Sequence, residues 1–343
     1  LTAKNYEAWD VLESDYPRKG TVEEQLKFLL RYAILAPSGP NTQPWKFAIN
    51  GSIISVFADL ERSLPYVDPD NRTLFMSVGC AIANLVTAGE HFGFSASVNY
   101  FPRGEENNPT AEVKFETAEN GPQGEDLFPE ITKRHTTKDR YENQMIESNI
   151  LDDIKKCIDL PGFVLSYLCD KDSKTMMADL VSRAHQIQLA KKEFRQNLGE
   201  WLRNNWTGEP DGMPLYTFGV PDAVSLGFPA AFKEFDLSRA VIYRDSGLIH
   251  GCSCLGVLTT DQDDRLAWTL CGTLLEKSLL KATSYGVRAS FFSQPIGLPE
   301  LRTELESSIG CGHPQLIFSL GRALPMRSTP RRPLEDVILE SSS

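Results

Sequence analysis

The chain has 343 residues, 41% of them hydrophobic and 24% charged, with no apolar run approaching the roughly 18 residues of a membrane span. This is the composition of a soluble globular protein that can bury one or two cores without disulfide staples. Acidic residues outnumber basic ones by 46 to 35, and the net charge of −11 argues against nucleic acid or an anionic membrane as main partner. Seven scattered cysteines do not form a disulfide framework, and the first residues lack the basic stretch and apolar core of a secretory signal, so a reducing, cytoplasmic location is expected.

Residues 21–35 place Leu26, Leu29, Leu30 and Ala33 at helical spacing behind Thr21, with Glu24 three positions later, which predicts a capping-box helix. The loop APSGPNTQPW at 36–45 follows. Two apolar runs around Asn50-Gly51 then predict a hairpin over 45–57. From Thr73 to Phe92 the pattern is apolar nearly all round and predicts a buried helix. The polar stretch 103–127 carries one short strand, Glu112 to Phe115, and a domain boundary is expected near residue 120. A helix over 147–159 leads to a strand, FVLSYL, at 163–168. Residues 172 to 204 read as one long amphipathic helix. Residues 205 to 236 read as a loop carrying Trp206, Tyr216, Phe218, Phe228, Phe232 and Phe235, which either lids a site or forms an interface or a satellite core under a loop. The last strand is PQLIFSLG.

One unit recurs. Gly79, Phe92, Gly93, Ala96, Ser97 and Pro102 reappear as Gly272, Tyr285, Gly286, Ala289, Ser290 and Pro295, each pair 193 positions apart. The chain therefore reads as two fused, diverged halves, 1–120 and 121–343. The second half contains roughly 77 additional residues, an insertion over about 172–247.

Three segments carry candidate chemistry. Pro37, Ser38, Gly39, Asn41 and Gln43 lie in a turn whose backbone can face a planar ligand. In RHTTKDRY at 134–141, Arg134 and Lys138 can bracket an anion while Thr136 and Thr137 supply hydroxyls. The run RSTPRRP at 327–333 is basic in an acidic chain. On charge alone each run is more often a solvated face.

Together these segments resemble the nitroreductase superfamily. Its members open with an Arg-x-Ser/Thr-x-Arg/Lys segment, carry a Pro-Ser-x-x-Asn-x-Gln-Pro-Trp loop after a helix, and finish with Pro-Arg-Lys/Arg-Pro; all three motifs occur here. The likeness spans about residues 20–339 and is greatest to the Acg-type branch, in which two such halves share one chain. It implies an α+β nitroreductase-like fold of two pseudo-symmetric halves with a lid insertion, binding one FMN per chain. It further implies an oxidoreductase moving hydride from NAD(P)H to a nitro, quinone or related small-molecule acceptor. The alternative is a non-enzymatic protein that stores FMN with its ring occluded.

Carried over by residue, the resemblance puts Arg134 on the FMN phosphate or ribityl chain, Lys138 beside the flavin N1 and O2 edge, and His135 and Thr136 on the same side. Pro37, Ser38, Gly39, Asn41 and Gln43 approach from the first half, while Arg331 and Arg332 complete the phosphate site. The backbone at Pro295, Ile296 and Gly297 approaches N5 and O4. Gly297 stands where many relatives have an acidic residue, which leaves an amide contact and removes a side-chain role. No protein side chain acts as a catalytic acid or base in this scheme, because the flavin carries the chemistry.

Motif order implies more. The second half supplies RHTTK, where the first half has VLESDYPRKG before its helix, and the first half supplies APSGPN, where the second half has only LPGF. One intact site and one relic are expected, formed within an internal pseudo-dimer able to act as a monomer. No metal is expected, because the spacings in HGCSC and CGHP are poor for zinc. The run KKEFR at 191–195 reads as the wet face of the insertion helix.

Overall fold

In the computed structural model, residues 4–105, 108–118, 125–138 and 140–339 are described. In chain order the elements are α1 (Val22–Ala33), β1 (Trp45–Asn50), β2 (Ile53–Ala58), α2 (Arg72–His91), β3 (Phe94–Tyr100) and β4 (Ala111–Thr117). They continue with α3 (Ser148–Lys155), β5 (Phe163–Leu168), α4 (Lys171–Ala190), α5 (Lys192–Gly199), β6 (Leu202–Arg203) and β7 (Met213–Pro214). The remainder are α6 (Asp222–Ser225), α7 (Phe228–Glu234), α8 (Ser238–Gly251), β8 (Cys254–Thr260), α9 (Arg265–Ser284), β9 (Val287–Phe291), α10 (Pro299–Ile309) and β10 (His313–Arg322).

The architecture is α+β, and its two sheets share one topology. β1-β2-β4-β3 and β5-β8-β10-β9 are both antiparallel, and in each the long helix sits between the second and third strands in sequence. α2 and α9 keep the 193-residue offset from first to last residue, as do the starts of β3 and β9. By length and composition α2 could span a bilayer, yet it is mostly buried among the other helices, packed along α9.

Local sequence explains the expected elements. Glu24 N donates to Thr21 Oγ1 at 3.2 Å and Thr21 N to Glu24 Oε2 at 2.7 Å, closing the predicted capping box. Gly51, with φ of 58°, makes the hairpin turn between β1 and β2. The expected boundary near residue 120 lies outside the described residues.

Segments outside the strands stitch the halves together. Phe47 N donates to Val337 O, and Leu339 N to Phe47 O, both at 2.7 Å, so the C-terminal segment pairs with the first half's β1. Thr136 bridges Ala289 of β9, with Thr137 N donating to Ala289 O at 2.9 Å.

The insertion departs from its sequence reading. The long helix breaks at Lys191, whose extended backbone (φ −82°, ψ 122°) separates α4 from α5. KKEFR thus begins a second helix, and Arg195 is buried, donating to Leu189 O at 2.7 Å. The expected loop holds the short α6 and α7, and α8 follows it. Its aromatics divide: Phe232 joins Leu189, Phe194, Leu202 and Leu215 in a satellite core, whereas Trp206 and Phe235 are exposed. The cysteine reading also changes, because Cys169 and Cys254 form a disulfide. The Leu168↔Leu255 register of β5 and β8 sets these two residues opposite one another.

Candidate functional site

α1 ends at Ala33 and the chain enters the 36–45 loop, where Asn41 (φ 56°) and Gln43 (φ 51°) are left-handed. Side chains compensate that strain. Ser38 Oγ accepts from Gln43 N at 2.9 Å, and Gly39 N donates to Ser77 Oγ on α2 at 3.2 Å. A Cβ at Gly39 would overlap the Thr73 methyl group, so the loop lies against the first turns of α2. Pro37 is half-buried in the same loop.

The C-terminal segment closes on this loop. Arg331 Nη1 donates to Asn41 Oδ1 at 3.1 Å, and its Nη2 to Leu35 O and Ala36 O at 3.1 and 3.3 Å. Arg332 N donates to Gln43 Oε1 at 2.8 Å, while Arg332 Nη1 reaches Gln43 O at 3.1 Å. Arg134 joins from the segment before α3, its Nη2 donating to the same Leu35 O at 3.0 Å. Basic residues of two motifs therefore grip the end of the α1 helix and the third motif. Both Arg134 and Arg331 are buried, and Arg331 Nη1 also donates to Thr329 Oγ1 at 2.7 Å.

Beneath them lies a carboxyl that sequence reasoning missed. Glu276 of α9 is fully buried, with Oε1 3.0 Å from Arg134 Nε. Burial pushes its pKa up to about 7, against the pull of Arg134 and Arg331. Burial and then Arg134 push the Arg331 guanidinium down to about 9. A lone Glu among the leucines of α9 was the available signal.

His135 Nδ1 lies 2.9 Å from Lys133 O and Nε2 3.0 Å from Ser328 Oγ, and the ring stacks on Trp9. Burial first, then Arg134, Arg331 and Arg288, push the imidazole down to about 4, so it is neutral at pH 7. Lys138 is half-buried with Nζ 4.6 Å from the centroid of Phe218 and 3.9 Å from Met213 Sδ. Burial and then Arg244 push its ammonium down to about 8, with Asp245 opposing.

The turn carrying Pro295, Ile296 and Gly297 follows β9 and meets the first half at Val67, whose carbonyl is 4.0 Å from the position of a Cβ on Gly297. Gln188 of α4 supports it, with Nε2 donating to Gln294 O at 3.3 Å. Ser293 Oγ, Gln294 Oε1 and Gln188 Oε1 are buried here without protein partners.

The insertion covers the junction. Asn41 Nδ2 donates to Gly212 O at 2.8 Å, Gln43 Nε2 to Pro210 O at 2.9 Å, and Tyr216 Oη to Ser328 O at 2.6 Å. Asp211 pairs with Arg62 and with Arg203, the latter at 2.7 Å. Segment 210–218 is thus tied to the candidate loop and to the C-terminal run, which the aromatic content alone could not reveal.

The two halves differ at equivalent positions. A cavity of about 10 Å³ in the first half is lined by Gly39, Thr73, Leu74 and Ser77. Its counterpart, about 330 Å³, is lined by Pro161, Gly162, Phe163, Leu266, Ala267 and Leu270. Leu266 and Leu270 stand 193 positions after Thr73 and Ser77, so leucines replace two hydroxyls.

No family model matches the sequence. The curated "Putative NAD(P)H nitroreductase Rv3131" of Mycobacterium tuberculosis is 26% identical over 324 residues, covering 92% of this chain and 91% of its own. The same organism's "Putative NAD(P)H nitroreductase acg" is 24% identical over 321 residues, covering 91% and 94%. A solved nitroreductase with bound FMN from Desulfitobacterium hafniense aligns with 64% of this chain and 100% of its own at 18% identity, with a TM-score of 0.40. Similarity to the curated proteins along nine-tenths of the sequence, together with two copies of one sheet-and-helix unit, makes the chain resemble the nitroreductases, with the Acg-type proteins among its relatives.

Proposed function

We propose that the chain is an FMN-dependent oxidoreductase holding one flavin at the seam of its halves, which divide near residue 120 and form an internal pseudo-dimer. The observation carrying this reading is the bond from Arg331 to Asn41 at 3.1 Å, which joins the C-terminal basic run to the proline-serine loop. It occurs in a chain similar along nine-tenths of its length to proteins named as NAD(P)H nitroreductases.

The residues suit such a group. Arg134, Arg331 and Arg332 gather three guanidinium charges that would offset the desolvation of a phosphate, whose oxygens would take over donors now engaged by protein oxygens. The buried, unpartnered Ser293 Oγ, Gln294 Oε1 and Gln188 Oε1 suit the polar edge of a heterocycle. Pro37, Ser38, Gly39, Asn41 and Gln43 would hold the ring and ribityl chain from the first half, with His135 and Thr136 opposite. Lys138 would lie at the N1 and O2 edge, and the backbone of Pro295, Ile296 and Gly297 at N5 and O4.

When bound, FMN supplies hydride transfer, here from NAD(P)H to a nitro, quinone or related acceptor. The chain's part is to bind, orient and shield. Lys138 favours negative charge on its side of the site, and segment 210–218 limits access by water and bulky molecules. The ties of that segment to Asn41, Gln43 and Ser328 also favour a second reading, storage of FMN under a closed lid.

An absorption spectrum of purified protein, with release and quantitation of flavin per chain, tests the first claim, and one FMN is expected. Protein that is colourless and fails to take up added FMN overturns it. Stopped-flow mixing with NADH or NADPH separates the readings, since an enzyme requires flavin bleaching and storage gives almost none.

A further inference from the structure

Phe218 lies between two cations. Lys138 Nζ is 4.6 Å from its ring centroid and Arg244 Cζ is 4.7 Å away. Arg244 is fixed from behind, with Nε and Nη2 donating to Asp245 Oδ1 at 2.8 and 2.6 Å. The other Asp245 oxygen, Oδ2, lies 2.8 Å from His185 Nε2 of α4. The Asp245 carboxylate is consequently committed to His185 and Arg244. Among the described residues, Lys138 has Met213 Sδ and the Phe218 ring as neighbours and no carboxylate at ion-pair distance.

The cluster therefore has surplus positive charge around an aromatic ring. A ring quadrupole attracts a cation more weakly than a full opposite charge does. An anionic group in the same place would interact with the cations as a full opposite charge and counter the burial and the Arg244 charge that hold the Lys138 ammonium down. Phe218 ends the turn Leu215–Phe218, with Gly212 (φ 75°) before this segment and Gly219 (φ 71°) after it. Both bends of the segment are made at left-handed glycines, a conformation that residues with side chains rarely adopt.

The geometry points to Phe218 as an internal occupant of a subsite for a planar aromatic anion, with Lys138 and Arg244 selecting the charge. Resting on the oxidoreductase reading, this narrows the acceptor class to nitroaromatic or quinonoid acids over their neutral analogues. His185 and Asp245 are positioning residues that hold Arg244 against the ring.

Calorimetric titration of the protein as purified with 4-nitrobenzoate and its neutral counterpart 4-nitrobenzamide tests this. Phe218→Ala should bind 4-nitrobenzoate about tenfold more tightly than the unaltered chain does, and about tenfold more tightly than it binds 4-nitrobenzamide. Adding Arg244→Gln should remove the preference. Equal binding of both probes by Phe218→Ala, or a preference that survives Arg244→Gln, overturns the proposal. Phe218→Leu keeps apolar volume without the ring face, and should show the same preference for the anion should the alanine variant fail to fold. Flavin content is measured in parallel: anion preference in flavin-free protein refutes the oxidoreductase reading alone, and bound flavin without the preference refutes the anion subsite alone.

Discussion

Gly79 and Gly272 meet backbone to backbone where α2 crosses α9, and their surroundings are reciprocal. A Cβ on Gly79 would overlap the carbonyl oxygen of Thr269, and a Cβ on Gly272 that of Met76. Met76 and Thr269 are themselves 193 positions apart. One residue on, Cys80 Sγ donates to Gly272 O at 3.2 Å and Thr273 Oγ1 to Gly79 O at 3.2 Å, repeating the exchange. A local two-fold therefore passes between the glycines, and only residues without a side chain allow that approach.

Either Gly79→Ala or Gly272→Ala should push the helices apart and cost about 3 kcal/mol. Because the obstacle is backbone rather than a flexible side chain, little relaxation is available. Urea unfolding of each variant reads the loss, and a midpoint unchanged in both would show that the helices can slide apart freely.

That duplication was legible because small residues at a helix crossing have no substitutes, so they survive divergence as a spacing. The capping box of Thr21 and Glu24 and the hairpin at Asn50-Gly51 were legible for a similar reason, since local chemistry decides them. The insertion was not. Lys191 breaks a continuous helical pattern without proline or glycine, and α6 and α7 are too short to establish a period. Within the site, the basic motifs could be seen but the partners they chose could not. Glu276 pairs with a residue 142 positions earlier, and Arg134 and Arg331 turn toward carbonyls at the end of α1, contacts only tertiary structure creates. The disulfide needed the register of β5 and β8, which seven scattered cysteines do not specify.

Stability should depend on Glu276 in a stated direction. Its pKa rises from the ordinary glutamate value of 4.5 to about 7 in the folded chain, so the folded state binds more protons over that interval. Its contribution is fully present below about 4.5 and is lost as pH rises through about 7. The groups around it are Arg134, Arg331, Cys80 and Asn84. Glu276→Gln should remove this slope, and unfolding free energies of both proteins between pH 4.5 and 7.5 check it. Parallel curves would rule out titration of Glu276 in that range.

The clamp at Asp211 should govern opening of segment 210–218. Asp211 engages Arg62 and Arg203, and Asp211→Asn keeps the shape while removing the charge. Loss of these charge-assisted bonds should cost about 1–3 kcal/mol locally. Hydrogen exchange in residues 210–218 should quicken more than tenfold while the sheets exchange as before. If the storage reading holds, the variant should also bleach faster with NADH. Unchanged exchange would mean that Asn41 and Gln43 hold the segment by themselves.

His135 should remain neutral far below the usual histidine range. Its pKa falls from 6.5 to about 4 on folding, so the stability it confers is present above about 6.5 and disappears as pH falls through about 4. Proton chemical shifts of the His135 ring, followed from pH 7 to 3.5, should titrate near the lower value. A midpoint near 6.5 would mean that the stack on Trp9 admits water.

Lys138 joins charge to redox chemistry under the oxidoreductase reading. Reduction gives a flavin extra electron density, and a cation beside its N1 edge favours that state. Lys138→Met keeps an unbranched chain between Met213 and Phe218 and deletes the charge. The fold should persist, FMN should bind less tightly, and the midpoint potential should fall. The wild type offers an internal control, because burial and Arg244 bring the ammonium down to about 8. As pH rises through that value the lysine loses its proton and its positive charge, so the potential should drop more steeply there than in Lys138→Met. Spectroelectrochemical titration from pH 7 to 9 measures both curves. Curves that differ by a constant amount across that range would show that Lys138 keeps its proton, and identical curves would remove the residue from the flavin's electrostatic environment.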